Sequence, residues 1–410
     1  MTTAKTNFRP YAPRQAAERR LGELEPACAD AFGPQTEAEQ FTIGLEEELF
    51  LVDADTLDCV ESMPEAFIEE AKAALGERVR REIIVSMLEI VTRAHSSLSA
   101  AGDELRGVRL ELAAIASRHG LALLACGTHP FSDWRRQTLT PRPRYAEVAT
   151  ALGAVSKRIH VCGLHVHVAL PDPARRISVM NRAQAFLPLL LALSTSSPFW
   201  LGSATGLKSY RSAAYDESPR TGLPIRFADM AEFERFVEKM RGAGFIPDQS
   251  FLWWAIRPSL RYPTLELRIA DSCTDWRDSI AIAALYRCLV HALVRDASLG
   301  ASWEEHHWLV NNENRWQAIR YGLAGTVLDP TAGSTRPMPD RVRDMLDLLQ
   351  PSAIALGCVE ELDGVAEILR RGTSADRQSR SYQLALESGA SPDMAVRRVA
   401  SDIARWTIAA

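Results

Sequence analysis

The sequence predicts an α+β fold whose strands carry their charged residues on one face and whose C-terminal third is helical. Three observations lead there. The segments "FTIGLEEELFLVD" from Phe41, "CGLHVHVAL" (162–170) and "YPTLELRIAD" (262–271) alternate apolar and polar side chains with the period of two that marks a strand. Strands come early, a helix intervenes, strands return, and after Asp275 the chain reads mostly as helix, so a regularly alternating doubly wound sheet is disfavoured. Neither a G-x-G-x-x-G loop nor a G-x-x-x-x-G-K-[ST] loop occurs, which removes the dinucleotide-binding and P-loop alternatives.

Taken in order, residues 1–39 mix Arg, Ala, Glu and Pro without an apolar run, so they are expected to form a flexible or short helical leader and not a secretory signal. Residues 40–410 are expected to form a single catalytic domain. In the first strand Thr42, Gly44, Glu46, Glu48 and Phe50 share one face, and Ile43, Leu45, Glu47, Leu49 and Leu51 the other. Leu98, Ala101, Leu105, Val108, Leu112 and Ile115 recur at helical spacing, and Gly120 stands where a helix stops. A buried strand fits "LALLAC" (121–126). The proline-rich "TLTPRPRY" (138–145) predicts a loop at the active-site side or a surface crossing. Helices are expected around 178–195 and 230–241, and "DPTAGSTRPMPD" (329–340) interrupts the helical C-terminal part.

Composition narrows the function. The 47 Lys and Arg against 52 Asp and Glu leave a net charge of −5, without the basic excess that nucleic acid requires. The strongly apolar stretch Ala185–Leu193 is about half the roughly 20 residues needed to cross a bilayer, and Pro188 interrupts it, so no membrane association is expected. Cys28, Cys59, Cys126, Cys162, Cys273, Cys288 and Cys358 are odd in number and lack a C-x-x-C pair, which predicts reduced thiols and a cytoplasmic location.

The three strands carry the chemistry. Glu46 and Glu48 point the same way about 7 Å apart, close enough to repel unless a cation lies between them. Oxygen-rich sites suit Mg2+ and Mn2+. Gly163, His165 and His167 share a face of the second strand, and Glu266 and Arg268 a face of the third. Each has an ordinary reading: solvated glutamates, hydrogen-bonded structural histidines, an adjacent ion pair. Side by side they would line a groove with carboxylates, imidazoles and a guanidinium, an arrangement costly without a ligand. A metal-bound polyphosphate would satisfy it, with Arg268 neutralising charge that develops during phosphoryl transfer.

The blocks "TIGLEEELFLVD", "SMLEIVT", "GTHPFSDWRRQTLTPRPRY", "CGLHVHV", "SPFWLGSATGLKSYRSA", "IRPSLRYPTLELRIAD", "ENRWQAIRYGL" and "SADRQ" resemble, in order from about residue 41, the glutamate–cysteine ligase type 2 family, the YbdK-like carboxylate-amine ligases of the glutamine synthetase superfamily. The resemblance implies a glutamine-synthetase-like domain with a curved, mainly antiparallel sheet backed by helices, binding ATP and Mg2+ or Mn2+. It implies formation of an amide through an acyl phosphate, by default from glutamate and L-cysteine to γ-glutamylcysteine. It also implies a homo-oligomer, a dimer by default. Carried over by position, Glu46, Glu48, Glu89, His165 and Glu266 are metal ligands, and Glu46 and Arg268 are catalytic. His167 and Arg268 lie at the nucleotide phosphates, while Arg211, Tyr210 and Tyr215 form the substrate pocket. Glu82 is a further acidic candidate, but its odd spacing from Glu89 means that either a bulge or turn lies between them or only Glu89 is a ligand.

A loop at 202–222 is expected to cover the acyl phosphate. His129 and Asp133 are read as a catalytic pair or a structural corner, and Arg315, Arg320 and Arg377 as anion contacts or solvated faces. The aromatic cluster Phe251, Trp253 and Trp254 reads as core. Two other functions stay open: a zinc hydrolase built on His165 and His167, with "EEHH" at 304–307 as a further ligand source, and a non-catalytic nucleotide or amino-acid binder.

Overall fold

A computed structural model describes residues 36–300, 306–329 and 332–409. Most of the leader, Cys28 and residues 304 and 305 of the "EEHH" segment lie outside the described residues.

In chain order the elements are α1 (Glu37–Gln40), β1 (Ile43–Asp53), α2 (Glu65–Leu75), β2 (Val79–Arg81), β3 (Met87–Val91), α3 (Leu98–Arg118) and β4 (Leu121–Leu124). Next come α4 (Pro143–Leu152), β5 (Gly163–Ala169), α5 (Pro173–Ala183), α6 (Leu187–Ser194), β6 (Phe199–Trp200), β7 (Ser203–Ala204) and α7 (Tyr210–Tyr215). The remainder is α8 (Met230–Gly242), β8 (Ile256–Pro258), β9 (Thr264–Asp271), α9 (Trp276–Arg295), α10 (His307–Tyr321), β10 (Thr326–Leu328), β11 (Thr335–Pro337), α11 (Met338–Leu356), α12 (Val359–Arg371), α13 (Ser374–Glu387) and α14 (Pro392–Thr407).

A seven-stranded sheet runs β2-β3-β1-β5-β9-β8, with β4 joined to the end of β1. Its strand pairs are all antiparallel, so the α+β expectation holds. Alternation decides which face is buried. Ile43, Leu45, Leu49 and Leu51 of β1, Leu164, Val166 and Val168 of β5, and Leu265, Leu267 and Ile269 of β9 are all in the core. Each such side chain contributes roughly 1.5–3 kcal/mol on leaving water. They pack on α3, α6 and α9. Helix α9 is buried nearly all round from Asp278 to Leu293 because the sheet covers one side and α11 and α12 the other.

The six expected core positions of α3 are all buried, Ser97 caps its start, and Gly120 follows it at φ +68. Two expectations need correction. The 138–145 segment is a loop only to Arg142, because Pro143 has the fixed φ suited to a first helical turn and opens α4. The 178–195 helix is split into α5 and α6, with Pro188 in the first turn of α6. No single described helix is long and apolar enough to cross a membrane, and α6 is wholly buried. The six described cysteines are free and buried.

Candidate active site

Register carries the charges of the open face into one place. Glu48 of β1 lies opposite Glu89 of β3, which lies opposite Arg80 of β2. Glu46 lies opposite His165 of β5. His167 lies opposite Glu266 of β9, which lies opposite Arg257 of β8. Between β5 and β9 the register shifts: Leu164 faces Ala270 while Val166 faces Leu267. The extra residue on β9 brings Arg268 against His165, with Nη1 3.4 Å from Nδ1. Bulges commonly re-aim a side chain in this way beside a functional site.

These residues line a cleft of about 830 Å3, floored by the sheet and walled by Arg142–Tyr145 at the start of α4, Trp253, and the turn Ser259–Tyr262. Among the described residues, two groups of three ligating atoms form within it, Glu46 with Glu89 and His165, and Glu46 with His167 and Glu266, the atoms of each within 4.8 Å of one another. Glu46 belongs to both. Burial alone would raise its carboxyl, yet the two imidazoles hold it well below the usual carboxylate range. Glu266 is likewise held low against burial, because Arg257 binds it at 2.8 Å and Arg268 at 2.5 Å. Glu89 moves the other way, raised by burial and then by Glu46, Glu82 and Glu48.

The donor set fits a hard divalent cation. Carboxylate oxygens dominate each group, an imidazole completes it, and the buried Nε2 of His167 has no hydrogen-bond partner among the described residues. A cation at either group would offset the repulsion that opposes ionisation of Glu89.

Glu82 resolves its own difficulty. Residues 82–86 connect β2 to β3, with the Glu82 N–H donating to Met87 O at 3.1 Å. This turn supplies the reversal that an unbroken strand would lack, and both Glu82 and Glu89 reach the cleft. Burial and the Glu48 carboxylate push the Glu82 carboxyl up to about 7. Glu48 lines the cleft too, but its carboxylate accepts from the Gly163 N–H at 2.5 Å and belongs to neither three-ligand group. His167, expected at the phosphates, stands in the second group.

Arg211 and Tyr215 line the cleft, with the guanidinium 5.6 Å over the ring. Tyr210 does not: it packs at 5.1 Å on Trp200, because the short helix α7 turns successive residues to different sides. The Arg211 guanidinium donates to Ile269 O and Arg268 O at 3.3 and 3.2 Å and rests on the bare α-carbon of Gly163. A Cβ there would lie 2.2 Å from Nη2, so Gly163→Ala must displace the arginine. We expect at least about a tenfold loss in kcat/KM with a rise in the carboxylate KM, and roughly 1–3 kcal/mol of destabilisation from overpacking. Steady-state kinetics with a thermal melt checks both, and unchanged kinetics would remove Arg211 from the substrate site.

His129, Asp133, Arg315, Arg320 and Arg377 fall outside the cleft. His129 Nε2 meets Leu57 O at 2.9 Å and its Nδ1 accepts the Ser132 N–H at 2.9 Å, while Asp133 caps a short turn, so "THPFSD" is a structural corner. Arg315 binds Asp216, Arg320 binds Gly206 O, and Arg377 lies near Asp278 and the Trp406 ring. Segment 202–222 holds β7 and α7 and is anchored where Ser209 donates to the buried Asp271 at 2.7 Å. Phe251 and Trp254 are core, but Trp253 faces the cleft. Sequence reasoning missed Arg257, Arg81, Arg142 and Tyr145. Arg257, flanked by the buried Ile256 and Pro258, had alternation as its only signal.

A family model, glutamate-cysteine ligase family 2, matches residues 42–399. A Rhodospirillum rubrum protein provisionally named glutamate–cysteine ligase 2 is 42% identical over 373 residues, covering 90% of this chain and 96% of its own length. A Bradyrhizobium sp. (strain ORS 278) protein of the same provisional name is 42% identical over 356 residues, covering 86% of this chain and 85% of itself. Among solved structures, the glutamate–cysteine ligase of Francisella tularensis in complex with AMP superimposes with a TM-score of 0.65 at 12% identity, covering 90% of this chain and 89% of its own. A bifunctional glutathione synthetase from Pasteurella multocida gives 0.65 at 15% identity, with 90% of this chain and 53% of the other aligned. At these identities the two structures speak to the fold alone.

Proposed function

The chain belongs to glutamate–cysteine ligase family 2 and is a carboxylate–amine ligase of that kind, and from this premise we propose that it forms an amide in two ATP-dependent steps. A substrate carboxylate attacks the γ-phosphorus of ATP, giving an acyl phosphate and ADP. An amine then attacks the acyl carbon, giving the amide and phosphate. Glutamate and L-cysteine are the default pair, with γ-glutamylcysteine as product. The observation that carries this reading is the pair of three-ligand groups sharing Glu46 with Arg268 beside them in one cleft.

Mg2+ or Mn2+, held by Glu46 with Glu89, His165, His167 and Glu266, would supply charge neutralisation for the phosphate oxygens. The rest is done by the chain's own groups. Arg268 is fixed by Glu266 at 2.5 Å and approaches the Tyr215 hydroxyl at 3.4 Å, while its buried Nε has no partner among the described residues. A guanidinium held this way is preorganised to stabilise a transferring phosphoryl group at little reorganisation cost. Arg211 offers the planar donor set that binds a carboxylate. No protein nucleophile is required, since the substrate carboxylate attacks.

The test is phosphate release from ATP over a matrix of carboxylates and amines. Release that depends on both substrates supports the ligase; nucleotide binding without turnover would leave a binder. ATP-independent hydrolysis with tightly bound zinc would favour the hydrolase, although no third histidine lines the cleft among the described residues. A turnover-free check accompanies it. Mg2+ or Mn2+ should raise the thermal midpoint, with about 2.7 kcal/mol of stabilisation at a hundred times Kd. An unchanged melting curve at millimolar metal would count against the two groups.

A further inference from the structure

The strand that carries Glu266 and Arg268 ends in a buried acid that the chemistry above does not use. Asp271, the last residue of β9, is fully buried. Its Oδ2 accepts from the Ser197 hydroxyl at 2.7 Å and the Ser196 N–H at 3.0 Å, and its Oδ1 from the Ser209 hydroxyl at 2.7 Å. The carboxylate packs on the bare α-carbon of Gly127, where a Cβ would lie 2.8 Å from it. Across the sheet its register partner is Gly163, the glycine on which Arg211 rests. With both side chains so accommodated, Arg211 Nη1 stands 3.9 Å from Asp271 Oδ1, and no other carboxylate comes within 4.0 Å of that arginine among the described residues. Burial raises the Asp271 carboxyl, while Arg211, and then Ser197, Ser196 and Ser209, draw it back down.

The length of that contact separates Arg211 from a purely structural arginine. Arg109 meets Glu47 through two nitrogens at 2.5 Å. Arg211 has only two long bonds to carbonyls and one distant carboxylate, and its buried Nε has no acceptor among the described residues. It is oriented without being satisfied, as suits a guanidinium that receives an anionic ligand. Asp271 meanwhile grips the segment that carries Arg211 at two points. Ser197 Oγ accepts the Arg211 N–H at 3.1 Å, and Ser209 caps α7 by accepting the Ser212 N–H at 3.3 Å. Helix α13 braces the same segment from behind: Gln378 donates to Ser196 O at 2.8 Å and Asp376 binds Lys208 at 2.7 Å, which gives the "SADRQ" block a structural task.

We propose that Asp271 is the positioning residue of the substrate-carboxylate site: through Ser197, Ser209 and the charge it turns toward Arg211, it aims that guanidinium into the cleft without touching substrate itself. The assignment rests on the ligase reading above and on Arg211 as the carboxylate contact. A fork of donors recognises a carboxylate only when both its arms are aimed, and a small misplacement by a group remote from the chemistry is enough to weaken it.

Asp271→Asn isolates the charge. An amide nitrogen in the place of Oδ1 can donate to Ser209 Oγ, whose own proton then turns to Ser212 Oγ at 3.0 Å, while the amide oxygen keeps Ser196 and Ser197. In the ATP-dependent phosphate-release assay this variant should raise the carboxylate KM about tenfold, the size of one charge-assisted contact, and leave the ATP and amine KM values unchanged with kcat within about threefold of wild type. Ser209→Ala, which removes one donor and keeps the charge, should raise the same KM by a smaller factor, and it carries the test if the asparagine variant does not fold. Arg211→Lys should raise the carboxylate KM by itself, and adding Asp271→Asn to it should change little further, because a residue that acts through another has nothing left to act on. An unchanged carboxylate KM in both Asp271→Asn and Ser209→Ala overturns the proposal, as does full additivity with Arg211→Lys. So does a parallel loss of kcat, all KM values and thermal midpoint, which would make Asp271 structural only. An unchanged carboxylate KM in Arg211→Lys removes the arginine from the site and the proposal with it. If no substrate pair supports phosphate release, the ligase reading is what fails. Calorimetry with L-glutamate then decides: binding by the wild type that weakens in Asp271→Asn, but weakens no further when Asp271→Asn is added to Arg211→Lys, supports the proposal, and equal binding or none overturns it.

Discussion

Replacing Glu46 by glutamine should stop ATP-dependent phosphate release while leaving the fold intact. Its carboxylate is the one atom set common to both three-ligand groups, so a single substitution removes a ligand from each. A fall of at least about a thousandfold is expected, roughly 4 kcal/mol of barrier. Glutamine keeps the shape and loses the charge. The contacts it gives up are long, 3.4 Å to His165 and 3.6 Å to His167, and loss of the charge also relieves its repulsion of Glu89 and Glu82, so the fold is expected to survive. Glu266→Gln should behave similarly in turnover, but it leaves Arg257 and Arg268 without their shared carboxylate and is the less clean experiment. Phosphate release alongside a thermal melt decides the matter: near wild-type turnover in Glu46→Gln would remove the shared site.

The neighbouring residue predicts the opposite outcome. Arg109→Ala should destabilise the protein by about 3–5 kcal/mol, the range for removing one partner of a buried ion pair. Glu47 is fully buried on the aliphatic side of β1, where both its oxygens accept from Arg109 at 2.5 Å. The same guanidinium donates to Cys273 O at 2.7 Å, Thr274 O at 2.9 Å and Thr407 O at 3.2 Å, tying β1 to the start of α9 and the end of α14. Without Arg109, one carboxylate and three carbonyls lose donors at once. Chemical denaturation measures the loss. The double change Glu47→Leu with Arg109→Met should cost less than Arg109→Ala alone, because no charge is left stranded. If the double variant is the less stable one, the pair does more than neutralise itself.

Glu46 and Glu47 show how far the chain could be read before it was folded. Alternation sorted them onto opposite faces, and that sorting holds. What alternation could not supply was the partner of Glu47, since Arg109 lies 62 residues away on α3 and looks like an ordinary charged helix position. Glu82 and Glu89 show the same limit. Their odd spacing left either a bulge or turn between them or Glu89 alone as ligand, and the structure has a turn between β2 and β3. Tyr210, expected beside Arg211 and Tyr215 in the substrate pocket, packs on Trp200 because only one side of a short helix can face the cleft. Arg81, Arg142 and Trp253 carried no local signal, because nothing in "VRREI" or "TPRPRY" says that the two segments meet.

The sequence by itself determined the strand faces, the α3 stripe, the family likeness and the set of Glu, His and Arg residues able to meet in one cleft. These follow from period-two and period-3.6 alternation and from motif blocks, which are local properties of the chain. Only the tertiary structure decided the rest: that Glu46 serves two groups, that Glu48 turns to Gly163, and that a register shift brings Arg268 to His165. Each of these depends on pairing register and long-range contact. Such contacts are set by the burial of the whole sheet against α3 and α9, which no single segment encodes.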